Sequence, residues 1–273
     1  MAMFSYEFMI RALIAASFMA VIAPLLGVFL VLRRQSLLAD TLSHVSLAGI
    51  ALGFYLNINP TLTTLVVVIL SALVLEYIRK LYASYSEVST AILMSGGLAT
   101  ALVLMNLNKG QSSMNIQQYL FGSIVTINWM QVKILGLLMI AIVILFILLK
   151  RPMYVLTFDE ETAHVDGLPV TLLSTLFNVI TGVAITVMIP IAGALLVSAI
   201  MILPGIISMK LGKTFNSVII ISVLVGFIGM ISGLISSYQL DAPPGATITL
   251  IFIGLFILVN LIEYLKKRTK RRN

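Results

Sequence analysis

Nine apolar runs, each about the length of one membrane crossing, constrain this chain more than any motif in it. Their limits fall near 8–32, 36–56, 61–79, 88–106, 129–150, 168–189, 191–209, 215–236 and 246–265. A helix needs roughly 20 apolar residues to span the hydrocarbon core of a bilayer. The expected fold class is therefore all-α: a polytopic membrane protein of about nine transmembrane helices, or eight if one segment is re-entrant. Composition agrees, because only 10% of the residues are charged where an ordinary soluble domain has about 25%. Once loops are subtracted, no separate soluble domain remains, and residues 1–273 read as a single transmembrane domain.

The charge pattern orients the runs. The net charge is +7, and five basic clusters stand out: Arg33-Arg34, Arg79-Lys80, Lys150-Arg151, Lys210 with Lys213, and Lys266 through Arg272. They follow the first, third, fifth, seventh and ninth runs, which is every second connection. Under the positive-inside rule these ends are cytoplasmic. The N-terminus is then expected outside, and the basic tail 266–273 inside. The opposite connections carry Asn57, Asn59, Lys109 and Asp241. The tail reads as a membrane flank rather than a nucleic-acid arm. The first run lacks a basic leader and a clear cleavage site, so it reads as a retained span. With no cysteine, thiolate metal sites, redox motifs and disulfides are excluded.

Two connections are long. Residues 107–128 are expected outside. Residues 151–167 are expected inside and hold Asp159, Glu160, Glu161 and Asp166 among the chain's ten acids. Thr157 is expected to cap a short helix whose first turn carries the three consecutive acids, where carboxylates suit the helix dipole. Gly167 would end it. Such a helix is a docking element for a partner; the plainer alternative is a solvated linker.

Chemistry concentrates in the second run. Asp40 and His44 are four residues apart, so a helix puts both side chains on one face. Titratable groups inside a membrane span are costly and point to function. A carboxylate and an imidazole together suit a borderline divalent metal such as zinc. Leu47 and Ala51 fall on the same side. Gly49 and Gly53 fall opposite and form a small-xxx-small pattern that permits close helix packing. The Asp/His side would then face a cavity or a partner subunit. Two ligands do not complete a zinc shell, which is usually four-coordinate. A symmetric dimer could supply four, or water and the hydroxyls of Thr41 and Ser43 could help. The alternative without metal is that Asp40 caps the helix and hydrogen-bonds His44.

Other residues have plainer readings. His164 is a surface residue, and Glu76 pairs with Arg79 three residues on. The 14 methionines are packing residues. Ser95-Gly96-Gly97 and Gly193 through Ser198 are packing faces or tunnel walls. Asp241-Ala242-Pro243-Pro244-Gly245 is an outer turn. No phosphate-binding loop of the Walker type is present, nor a complete hydrolase constellation. The chain is not expected to be an enzyme, and any ATP hydrolysis falls to a partner.

At this point the residues resemble a known family. Ser36-Leu37-Leu38-Ala39-Asp40-Thr41-Leu42-Ser43-His44-Val45-Ser46-Leu47-Ala48-Gly49 is similar to the second-helix signature of the permease of bacterial zinc/manganese/iron ABC importers. Leu120-Phe121-Gly122-Ser123-Ile124, Gly193-Ala194-Leu195-Leu196-Val197-Ser198-Ala199 with Leu203-Pro204, and Asp241 through Ala246 resemble three further motifs in order. The resemblance implies a type II importer permease in the bacterial cytoplasmic membrane. Its expected partners are a second copy of itself, a cytoplasmic ATPase dimer and an extracellular metal-binding protein. It implies metal coordination at Asp40 and His44, and ATPase contact through Phe158 to Gly167. No permanently bound cofactor is expected; the metal is cargo. The segment from His44 to Gly49 lacks the proline often found there in manganese and iron members, which favours zinc, with manganese as the alternative. A siderophore or cobalamin permease and an ATPase-independent ion carrier are the competing readings.

Overall fold

The computed structural model describes residues 6–81, 86–108, 119–120, 122 and 124–270. The stretch Lys109-Gly110-Gln111-Ser112-Ser113, together with Phe121 and Ser123 of the outer motif, lies outside the described residues. The helices are α1 (Glu7–Leu32), α2 (Ser36–Leu56), α3 (Pro60–Leu81), α4 (Ser86–Leu107), α5 (Trp129–Phe158), α6 (Glu160–Val165), α7 (Val170–Ala192), α8 (Ala194–Leu211), α9 (Phe215–Leu240) and α10 (Pro244–Lys270), with a 3-10 turn at Ile124–Thr126. Among the described residues, all but α6 of these helices are long and apolar enough to cross a membrane, and there is no strand.

Local chemistry sets the ends. Asn57 (φ 55°) and Asp241 (φ 49°) close α2 and α9 in the left-handed region, where Asn and Asp are the non-glycine residues best tolerated. Pro60 and Pro244 then open α3 and α10; proline suits a first helical position because that N–H has no partner anyway. Asn128 caps α5 and Thr214 caps α9, each in a reciprocal capping box.

Helices α1 and α2 are the inner pair. α1 packs on α5, α8 and α9, while α2 packs on α3, α4, α7 and α8. Within their most apolar windows, 72% of the residues of each are buried, against 17% for α5. A helix that is apolar all round belongs inside, and Ala12, Ala15, Ala16, Ala20 and Ala23 give α1 a fully buried, small-residue surface for close approach. On α2, a Cβ at Gly49 would lie 2.5 Å from Thr64 Cα, and one at Gly53 would lie 2.6 Å from Pro60 Cα. The glycine face of α2 therefore lies directly on α3. α5 turns Leu137, Ile140, Ile144, Ile147 and Leu148 outward, the face a lipid-exposed helix needs.

The α7–α8 corner lies in the interior. Ile191, Ala192, Gly193 and Ala194 are all buried, and Gly193 has φ 81° and ψ 155°, a region open essentially to glycine alone. Gly122 lies directly against Ala192. This irregular backbone is wrapped by protein.

Two local expectations are corrected. Residues 151–158 are not loop: α5 continues through Pro152 to Phe158. Thr157 is inside that helix, and its hydroxyl donates to the Met153 carbonyl at 2.6 Å. The cap of α6 is Asp159, whose Oδ1 accepts from the Thr162 N–H at 2.9 Å and whose Oδ2 accepts from the Thr162 hydroxyl at 2.5 Å. The two carboxylate oxygens of Asp159 each take one of the Thr162 donors. Gly167 follows α6 at φ 75°.

Candidate functional site

Asp40 is the fifth residue of α2, and His44 sits one turn on. The N-cap position belongs to Gln35, so Asp40 does not cap the helix. His44 Nε2 lies 3.8 Å from Asp40 Oδ1, too long for a hydrogen bond. The two side chains are 27% and 41% exposed on a helix that is otherwise largely buried. From Leu37 onward, the accessible positions in the first half of α2 are Leu37, Asp40 and His44, and residues 45–51 beyond them are buried.

The contact that spacing could not show comes from α8. Ser198 Oγ donates to Asp40 Oδ1 at 3.2 Å, with Ser43 Oγ at 3.5 Å and the Ala194 carbonyl at 3.2 Å as competing acceptors. The buried α7–α8 corner sets the height at which Ser198 meets Asp40. His44 Nδ1 is buried with no hydrogen-bond partner, which leaves Nε2 as the nitrogen that shares a side with the carboxylate.

The neighbours on α2 are placed differently. Thr41 and Ser43 are buried, and their hydroxyls donate to the carbonyls of Leu37 and Ala39 at 2.8 Å each. Leu47 and Ala51 are buried inside this chain, at 2% and 4% exposure. No group of three or more His, Asp or Glu side chains poised for a metal exists among the described residues. Within one chain, Asp40 and His44 therefore stand as a pair.

The acidic segment is a separate surface at the end of the bundle that carries Arg33, Arg79, Arg151 and Lys210, the basic end. Glu160, Glu161, His164 and Val165 are exposed, while Ala163 is buried and seats α6 on the bundle. Phe158 is exposed beside Tyr154 and Phe215, with ring centroids 4.8 and 6.3 Å away. The hydrogen bonds from Thr162 hold the Asp159 carboxyl below the usual carboxylate range.

A buried polar cluster lies at the same end. Glu76 Oε1 accepts from Arg79 at 3.0 Å, as the i,i+3 spacing suggested, and Glu76 Oε2 accepts from Asn178 at 2.7 Å. Ser174 Oγ accepts from both Arg79 and Arg33, at 2.9 and 2.7 Å. Sequence reasoning missed Asn178 and Ser174; the available signal was Asn178, the one amide side chain in α7, with Ser174 one turn before it.

The family description "ABC 3 transport family" matches residues 5–263. The chain belongs to the ABC 3 transport family. This ABC 3 permease is similar to the chelated iron transport system membrane protein YfeD of Yersinia pestis, with 29% identity over 98% of this chain and 90% of that one. It is similar to the high-affinity zinc uptake system membrane protein ZnuB of Haemophilus influenzae, with 24% identity over 93% and 97%. It is also similar to the manganese import system permease protein ScaB of Streptococcus gordonii, with 28% identity over 97% and 96%. Among solved structures, PsaBC from Streptococcus pneumoniae in complex with Fab matches with a TM-score of 0.84 and 26% identity, covering 94% of this chain and 92% of that one. The ABC 3 permease is thus an all-helical, multi-pass membrane protein of a transporter.

Proposed function

We propose that this ABC 3 permease carries a divalent metal ion into the cell, zinc in the first place, through a path between two copies of the chain. The observation that carries this reading is the Asp40–His44 pair: two potential ligands, partly open, on an inner helix. Two ligands held about 2.0–2.2 Å from one tetrahedral ion lie about 3.4 Å apart, so the observed 3.8 Å needs only a small closure. Two copies would bring four ligands together. Imidazole favours zinc over the harder manganese ion, and the relatives named for zinc, manganese and iron keep manganese as the alternative. A sparse shell suits an ion that must be released.

The remaining parts follow from the same reading. The basic end is cytoplasmic, the N-terminus is outside, and α6 with Phe158, Asp159, Glu160, Glu161 and Gly167 docks a separate ATPase. An extracellular metal-binding protein delivers the ion to the opposite end. The test is metal uptake by cells depleted of this chain and complemented with it, with zinc and manganese compared. Restoration of zinc uptake supports the reading; restoration of manganese uptake alone would move the assignment to manganese.

A further inference from the structure

A cavity of about 720 Å³ opens at the basic end, among the ends of α1, α3 and α5 and the starts of α2, α6 and α7. Arg33, Arg34 and Arg79 all line it, against two carboxylates, Glu76 and Glu160. Glu76 is already engaged by Arg79 and Asn178. The guanidinium groups of Arg33 and Arg79 both donate to the single hydroxyl of Ser174, which places two cations together, and Glu76 bonds Arg79 alone of the two. Arg33 Nη1 is buried without a partner, and so is Gln35 Oε1 on the same wall. Arg34 stands in the left-handed region at φ 57°, an uncommon conformation for a non-glycine residue.

We propose that this cavity is an anion site for a phosphate group, carried by a lipid headgroup or free in solution, and bound by Arg33, Arg34 and Arg79. Guanidinium forks match phosphate oxygens bidentately, and such a ligand supplies the partner that Arg33 Nη1 lacks. The volume lies within the roughly 300–1,000 Å³ typical of small-molecule pockets. Phe158 and Glu160 of the proposed docking surface form one rim of this cavity, while Val165, exposed on α6, lies outside it. Leu32 and Leu156 provide an apolar wall where the spanning helices end, so a glycerophospholipid can place its phosphate here with its chains in the bilayer. Burial, with Arg79 beside it, lowers the pKa of Arg33 to about 10, the direction expected of a cation short of counter-charge. The inference does not depend on which metal is carried.

The test is binding to the purified full-length chain in neutral detergent, read by native mass spectrometry, with phosphatidylglycerol, phosphatidylcholine and inorganic phosphate as probes. Phosphatidylglycerol is expected to bind at least tenfold tighter than phosphatidylcholine if a lipid is the source. Binding of inorganic phosphate without that lipid preference identifies the free anion. Arg34→Gln, at an exposed position, should weaken the favoured probe about tenfold, as loss of one charge-assisted hydrogen bond implies. Arg33→Gln should do the same where it folds, while Arg151→Gln, elsewhere at the basic end, should not. Absence of both the lipid preference and phosphate binding overturns the proposal, as does a preference that Arg34→Gln leaves intact.

Discussion

Ser198 lies 158 residues from Asp40 in the chain and donates to its Oδ1. Nothing in the spacing of α2 signals that contact; it depends on the buried turn at Gly193 and on the level at which α8 begins. Removing the hydroxyl leaves the carboxylate in place. Ser198→Ala is therefore expected to raise the KM for metal several-fold without abolishing uptake, because Asp40 is 41% exposed and water can replace the lost donor. Glu76 is the opposite case. Its side chain is 5% exposed, and two arginines and an asparagine depend on it directly or through Ser174. Breaking a buried ion pair by deleting one partner costs about 3–5 kcal/mol. Glu76→Ala should lower thermal stability in detergent by an amount of that order, and Glu76→Gln, which keeps one acceptor, by less. A Glu76→Ala protein that melts like wild type would show the cluster to be dispensable.

At the scale of elements, most of the fold was legible because breaks in the apolar pattern carry their own turn chemistry. Asn57 before Pro60 and Asp241 before Pro244 mark ends that the structure keeps. The C-terminal limit of α5 was not legible: Arg151 and Pro152 resemble a stop, yet Met153 and Leu156 are buried and carry the helix on. The cap of α6 was misplaced by two residues for the same reason, since Thr157 belongs to that extension. Helix α6 invites two measurements. The carboxyl of Asp159 is held below its ordinary range by Thr162, so its contribution to the helix is present above about pH 3.9, the unfolded value, and is lost as pH falls through the folded value. Amide protection of α6, corrected for intrinsic exchange, should hold from neutral pH to about pH 4 and drop below it; in Asp159→Asn that dependence should shrink to the part set by Glu160 and Glu161 in the first turn. Separately, reversing Asp159, Glu160 and Glu161 to lysine should weaken ATPase association or uncouple hydrolysis from transport, while metal binding at Asp40 and His44 persists. If ATPase binding and transport both stayed unchanged, α6 would be a solvated linker.

For the whole molecule, the alternation of basic and neutral ends fixes an expected orientation, and the absence of cysteine makes it simple to check. His164→Cys should resist an impermeant thiol reagent applied from outside intact cells and should react once the membrane is opened. Labelling from outside would invert the topology. The central claim joins all three scales: an inner helix presents one carboxylate and one imidazole to a path that two copies complete. Its most direct test is zinc uptake by cells expressing Asp40→Ala or His44→Ala, with the assembled complex recovered at wild-type yield. The account predicts uptake at background in both variants, and wild-type uptake in both would contradict it.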